Sequence, residues 1–217
     1  MTIHYWFIVP RDDQGNSSFD NTQPIKVSWH GDCIGQRMKL IGLDFETANG
    51  KSGSICSVGL ACVEEGGVVE TRHWLVKPHT SMTWMSPFCT EVHGLTWKDV
   101  KDAPEFHQIW PAMRDFVLQG DCVVIHNAPF DLRQLRAVMK LYALPGIQFP
   151  YLCSLKTSRK ALPNLGSYKL DAVANHLGFT FKHHDALEDA IACAKIIAHV
   201  GVPEGTHNMF LFPENNM

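Results

Sequence analysis

Lys39-Leu40-Ile41-Gly42-Leu43-Asp44-Phe45-Glu46-Thr47 is the stretch on which the reading of the chain turns. Its run up to Leu43 is short and apolar enough for a strand buried inside a sheet. Side chains alternate along a strand, so Asp44 and Glu46 leave one face while Leu43 and Phe45 leave the other. Two carboxylates then share one patch at the end of a core strand. Like charges so close are costly unless a cation neutralises them, and hard oxygen ligands suit Mg²⁺ or Mn²⁺. Alone, an Asp-x-Glu pair is equally the mark of a solvated strand end.

Working outward, residues 55–63 and 68–76 read as two further strands, joined by a hairpin turn at Glu65-Gly66-Gly67. Past Pro87 the pattern becomes helical, and Phe106, Ile109, Trp110, Met113, Phe116 and Val117 have helical spacing. A fourth strand over 122–125 runs into a helix carrying Leu132, Leu135, Val138, Met139 and Tyr142, and 149–153 suits a fifth. Helices over 170–177, ended by Gly178, and from 185 to about 200 complete the pattern. Three strands followed by alternating helices and strands give an α/β protein with a mixed five-stranded sheet flanked by helices. Residues 1–37 lack sustained periodicity and read as an N-terminal extension, 38–200 as the domain, and 201–217 as a C-terminal tail.

Two other acidic segments follow in order. In His126-Asn127-Ala128-Pro129-Phe130-Asp131, the last residue falls in the opening turn of a helix that begins where a buried strand ends. Sites in α/β proteins tend to form at that sheet edge, although an Asp there also complements the helix dipole. In His184-Asp185-Ala186-Leu187-Glu188-Asp189, Asp185 reads as an N-cap with Glu188 returning to it, which puts Asp189 one turn into the helix. His184 precedes the helix, so its imidazole can approach a water near Asp189. Neighbouring His183 is a rival, and spacing to Asp189 is the only ground for preferring His184.

The 217 residues are 45% hydrophobic and 19% charged, as in an ordinary globular chain with one main domain. Seven scattered cysteines without a C-x-x-C pair argue against a disulfide scaffold or zinc knuckle and suit a reducing cytoplasm. Neither a signal peptide nor a membrane span is indicated. A formal charge of −3 lacks the broad basic footprint of a non-specific duplex binder, so any nucleic-acid contact must be local. Lys156, Arg159, Lys160 and Lys169 are the candidates for following a phosphate backbone.

With these three motifs in order, the chain resembles the DEDD-type 3′→5′ exonucleases of the ribonuclease H-like fold, in the subgroup whose third motif carries histidine. It is similar to the proofreading epsilon exonuclease domain of bacterial replicative DNA polymerase. Val92-His93-Gly94-Leu95-Thr96, Ser167-Tyr168-Lys169-Leu170 and Leu177-Gly178 also match segments of these enzymes. The tyrosine subgroup would need Tyr where this chain has Asp185. The resemblance implies that Asp44 bridges two Mg²⁺ or Mn²⁺ ions. Glu46 and Asp189 would complete the site of the ion holding the nucleophilic water, with Asp131 serving the second ion and His184 acting as general base. The implied substrate is the 3′ end of single-stranded nucleic acid, DNA favoured over RNA, and the product a nucleoside 5′-monophosphate. Phe45, Thr47, His93, Asn127 and Phe130 are the expected substrate contacts, with core packing the competing role for each phenylalanine and a capping or core role equally open for His93. A polymerase or sliding clamp is a candidate partner, since Asn208-Met209-Phe210-Leu211-Phe212 loosely resembles clamp-docking peptides. Packing of this tail on its own domain is the competing reading.

Overall fold

The computed structural model describes residues 38–202 and 207–212. The extension expected over 1–37 lies outside them. The opening stretch forms β1 (Leu40–Thr47), followed by β2 (Ile55–Glu64), β3 (Gly67–Leu75), β4 (Cys122–Ile125) and β5 (Ile147–Cys153). The expected hairpin is present, with Glu65 and Gly66 both at positive φ in the turn between β2 and β3. Helices α1 (Pro87–His93), α2 (Trp97–Val100) and α3 (Phe106–Leu118) lie between β3 and β4. α3 continues through Pro111 as one helix. Then come α4 (Pro129–Leu141) before β5, and α5 (Ser154–Ala161), α6 (Leu170–His176) and α7 (Ala186–Val200) after it.

The sheet has six strands among the described residues, not five, in the order β3-β2-β1-β4-β5-β6. The added strand, β6 (His207–Phe212), lies in the tail and pairs antiparallel with β5. The sheet therefore continues beyond residue 200. Phe210 is fully buried and stacks on Phe149 with ring centroids 4.9 Å apart. It cannot also serve as the anchor of a clamp-docking peptide without leaving the sheet. β1 pairs antiparallel with β2 and parallel with β4, so the sheet is of mixed direction as expected.

Each face of the sheet is covered. Ile41, Leu43 and Phe45 of β1 pack with Phe106, Trp110 and Met113 of α3 and Leu135 and Met139 of α4. On the opposite face Leu40 and Val124 pack with Leu170 and Val173 of α6 and Ile196 and Ile197 of α7. α7 lies directly on β1 and β2, and two glycines permit this approach. A methyl group at Gly42 would run into the Ala190 carbonyl, and one at Gly59 into the Ala186 carbonyl. The two contacts bracket Asp189 in α7, while Gly42 stands two residues before Asp44 on the same face of β1. Close helix-to-sheet packing thus brings the first and third acidic segments together.

Candidate active site

Asp44, Glu46 and Asp189 present carboxylate oxygens that all lie within 4.8 Å of one another. Asp131 enters from the first turn of α4, where it is 2% exposed and its Oδ1 accepts the Phe45 backbone N–H at 3.2 Å. The chain reaches that turn through Asn127, whose left-handed backbone (φ 60°) suits Asn better than most residues. The acidic groups expected from three distant segments therefore meet at one place.

Burial dominates their electrostatics. It lifts the Asp44 carboxyl well above the usual carboxylate range, and the charges of Asp131, Asp189 and Glu46 raise it further. Glu46 is pushed up to about 7 by burial and then by Asp189 and Asp185. Asp189 is pushed up to about 7 by burial, partly offset by the His184 N–H that donates to it. Burial likewise raises Asp131, against the lowering effect of the Phe45 N–H. Asp189 Oδ1 is buried and has no hydrogen-bond partner among the described residues. Buried polar atoms are ordinarily satisfied, so a crowded set of oxygen donors that includes an orphaned oxygen fits hard divalent cations.

The third segment begins α7 as expected. Asp185 is the N-cap and its side chain accepts the Glu188 N–H. His184 stands just outside the helix at φ 65°, exposed, and its backbone N–H donates to Asp189 Oδ2 at 3.3 Å. His183 stacks on it, with ring centroids 3.9 Å apart and planes inclined by 17°, and its Nε2 lies 3.9 Å from the same Oδ2. Burial, then the nearness of His184, lowers the His183 pKa.

The expected substrate contacts divide. Phe45 is 3% exposed and meets Phe106 edge-on, so its ring belongs to the core and is closed to stacking on a base. Odd-numbered residues of β1 face the α3–α4 side, which accounts for this. Phe130 is half-buried, with the Arg133 guanidinium 5.6 Å from its ring centre, and Asn127 is exposed. Thr47 ends β1, and its carbonyl accepts from His93 Nε2 at 3.2 Å while His93 Nδ1 accepts the Leu95 N–H at 3.0 Å. His93 therefore anchors the end of the strand that carries Asp44 and Glu46.

An open cavity of about 470 Å³ is lined by Asp44, Asp189, His126, Asn127, Arg159 and Lys169, among others. Of the four basic candidates, Lys156 and Lys160 do not line it. His126 is an additional residue of the wall. Its Nε2 donates to the Tyr168 carbonyl at 3.1 Å and its Nδ1 takes the Ser154 hydroxyl at 2.8 Å. Burial lowers its pKa to about 4, so it stays neutral while it ties the loop before α6 to the end of β4. Its place beside Asn127 in the second motif was the available signal.

A family model described as Exonuclease (RNase_T) matches residues 41–197. The PolC-type DNA polymerase III of Thermotoga maritima is 32% identical over 157 residues, covering 71% of this chain and 11% of that protein. The DNA polymerase III epsilon subunit of Aquifex aeolicus is 29% identical over 150 residues, 66% of this chain and 70% of that subunit. The chain spans about a tenth of the length of the PolC-type polymerases it matches. Among solved structures, exonuclease X in complex with 5′ overhanging duplex DNA has a TM-score of 0.61 at 25% identity, covering 74% of this chain and 90% of that one. The nuclease domain of 3′hExo, a DEDDh family member bound to rAMP, gives 0.63 at 18% identity, covering 83% and 98%. The ribonuclease H-like α/β fold expected from the motifs is thereby borne out.

Proposed function

The chain belongs to the exonuclease family, and on that premise we propose that it is a 3′→5′ exonuclease of the DEDDh kind that shortens single-stranded DNA from the 3′ end, releasing nucleoside 5′-monophosphates. Asp44, Glu46, Asp131 and Asp189 would hold two divalent cations, Mg²⁺ or Mn²⁺, and His184 would act as the general base. One observation carries this reading: carboxylates from β1, α4 and α7 converge, and Asp189 Oδ1 has no hydrogen-bond partner among the described residues.

Bound cations would lower the pKa of the attacking water and stabilise the leaving 3′ oxygen during in-line displacement. The remaining work falls to the chain. The Asp189 carboxylate accepts the His184 N–H and so holds that residue at the rim of the site. The exposed imidazole is placed to take the proton of the attacking water, and histidine titrates where such a base is useful. Asn127 and Phe130 stand at the turn where the terminal nucleotide would enter. Arg159 and Lys169, on the cavity wall, pair with the phosphates behind it. The named relatives make a DNA polymerase the partner to seek by co-purification.

The test uses matched 5′-labelled DNA and RNA oligonucleotides with Mn²⁺. The expected result is a ladder shortening from the 3′ end, faster on DNA, and lost on chelation or in Asp44→Ala. Undiminished digestion by a folded Asp44→Ala protein would overturn the assignment, and faster digestion of RNA would reassign the substrate.

A further inference from the structure

We propose that His183, His184 and Asp189 form a zinc site whose occupation switches the exonuclease off. Two imidazoles and a carboxylate here offer ligand atoms that all lie within 4.8 Å of one another. Asp189 is only 5% exposed, and its two oxygens face different neighbours. Oδ1, without a hydrogen-bond partner among the described residues, is the atom that fits the acidic cluster, while Oδ2 lies 3.9 Å from His183 Nε2 and accepts the His184 N–H.

Donor chemistry separates this group from its neighbour. Asp44, Glu46 and Asp189 supply oxygen alone, which suits Mg²⁺ or Mn²⁺; two imidazoles and one carboxylate suit Zn²⁺. Zinc to histidine bonds are about 2.0–2.1 Å long, so two ligand atoms of a tetrahedral ion stand roughly 3.4 Å apart. His183 Nε2 and Asp189 Oδ2, at 3.9 Å, reach that separation with a shift of about half an ångström. His183 is half-buried and held edge-on by Phe181 at 5.6 Å between ring centres, whereas His184 is exposed and free to turn inward. The two rings are stacked nearly parallel, so their in-plane lone pairs meet at one ion once the exposed His184 swings off the stack, and solvent can supply a fourth ligand.

Zinc binding follows from these three side chains whatever the protein does. The inhibitory consequence rests on the reading of His184 as base: an imidazole whose ring nitrogen is bonded to zinc has no lone pair there for a proton. Zinc bound through Asp189 Oδ2 would leave Asp44, Glu46, Asp131 and Asp189 Oδ1 for Mg²⁺ and remove the group that activates the water.

The experiment compares the full chain with His183→Phe, which keeps a flat ring against His184 and Phe181 but has no ligand nitrogen. Zn²⁺ is titrated in saturating Mg²⁺, with binding read by competition with a chromogenic zinc chelator and turnover followed in parallel. Loss of an outer-shell partner alone typically weakens a metal site 10–100-fold, so the substitution is expected to raise both the dissociation constant and the inhibitory Zn²⁺ concentration at least about tenfold, with Mg²⁺-dependent turnover retained. Zinc binding that is absent, or equally tight in His183→Phe, would overturn the proposal. Zinc binding that depends on His183 in a protein without nuclease activity would uphold the site and refute the proposed function instead.

Discussion

Replacing Asp189 by Asn tests the electrostatics of the site directly, because it removes a charge and keeps an oxygen to accept the His184 N–H. The Asp189 carboxyl is moved from its ordinary 3.8 to about 7 in the folded protein. Its folded value is the higher one, so its contribution to stability is intact below about pH 4 and is lost as pH rises through about 7. At 1.36 kcal/mol per pH unit the full penalty near pH 8 is roughly 4 kcal/mol, and water in the open cavity reduces it, giving about 2–4 kcal/mol at an effective dielectric near 20. In metal-free buffer at pH 8, Asp189→Asn should therefore be the more stable protein. For a chain of this size the gain is a rise in Tm of roughly 4–16 °C, and it should shrink toward zero as the pH approaches 4. Thermal unfolding followed by circular dichroism, with and without chelator, measures it. Added Mg²⁺ or Mn²⁺ should reverse the order, since a ligand bound only to the native wild type stabilises it by mass action. A variant no more stable than wild type at pH 8 in chelator would refute the reasoning.

Two other substitutions address the base and the helix packing. His184→Ala is expected to lower turnover by about 10²–10⁴-fold, the usual contribution of a general base, while stabilisation by Mn²⁺ persists; full activity would pass the role to His183 or another group. Gly42→Ala should cost about 2–3 kcal/mol by overpacking against the Ala190 carbonyl. It should also reduce activity by displacing Asp189 from Asp44, and paired denaturation and turnover measurements would show whether the two losses go together.

The sequence reveals elements where one physical signal dominates. β1 shows as an apolar run with acids at one end, α7 as an N-cap followed by a buried stripe, and the acidic pairs through the fixed periods of strand and helix. α5 leaves no such signal, because Ser154–Ala161 carries few apolar side chains and no apolar stripe. β6 is hidden for another reason. A six-residue edge strand whose fully buried side chain among the described ones is Phe210 is specified mainly by the strand it pairs with, and in isolation it reads like a docking peptide. The core role of Phe45 follows only from α3, which covers its face of the sheet. The role of His126 required the Tyr168 carbonyl, 42 residues away in sequence, to be brought beside it. Local pattern therefore located the carboxylates, while the surroundings that set their proton affinity came only from packing.

The sixth strand also reaches the acids by a mechanical route. Arg136, on the same helix as Asp131, donates from Nη1 to the Leu211 carbonyl at 2.7 Å and lies over the Phe210 ring at 4.4 Å from its centre. One guanidinium thereby braces the helix against the outermost strand, more than 70 residues further along the chain. Chemistry at the sheet's centre consequently depends on a strut fastened at its margin, and whatever peels that margin away slackens the mounting of a carboxylate it never touches.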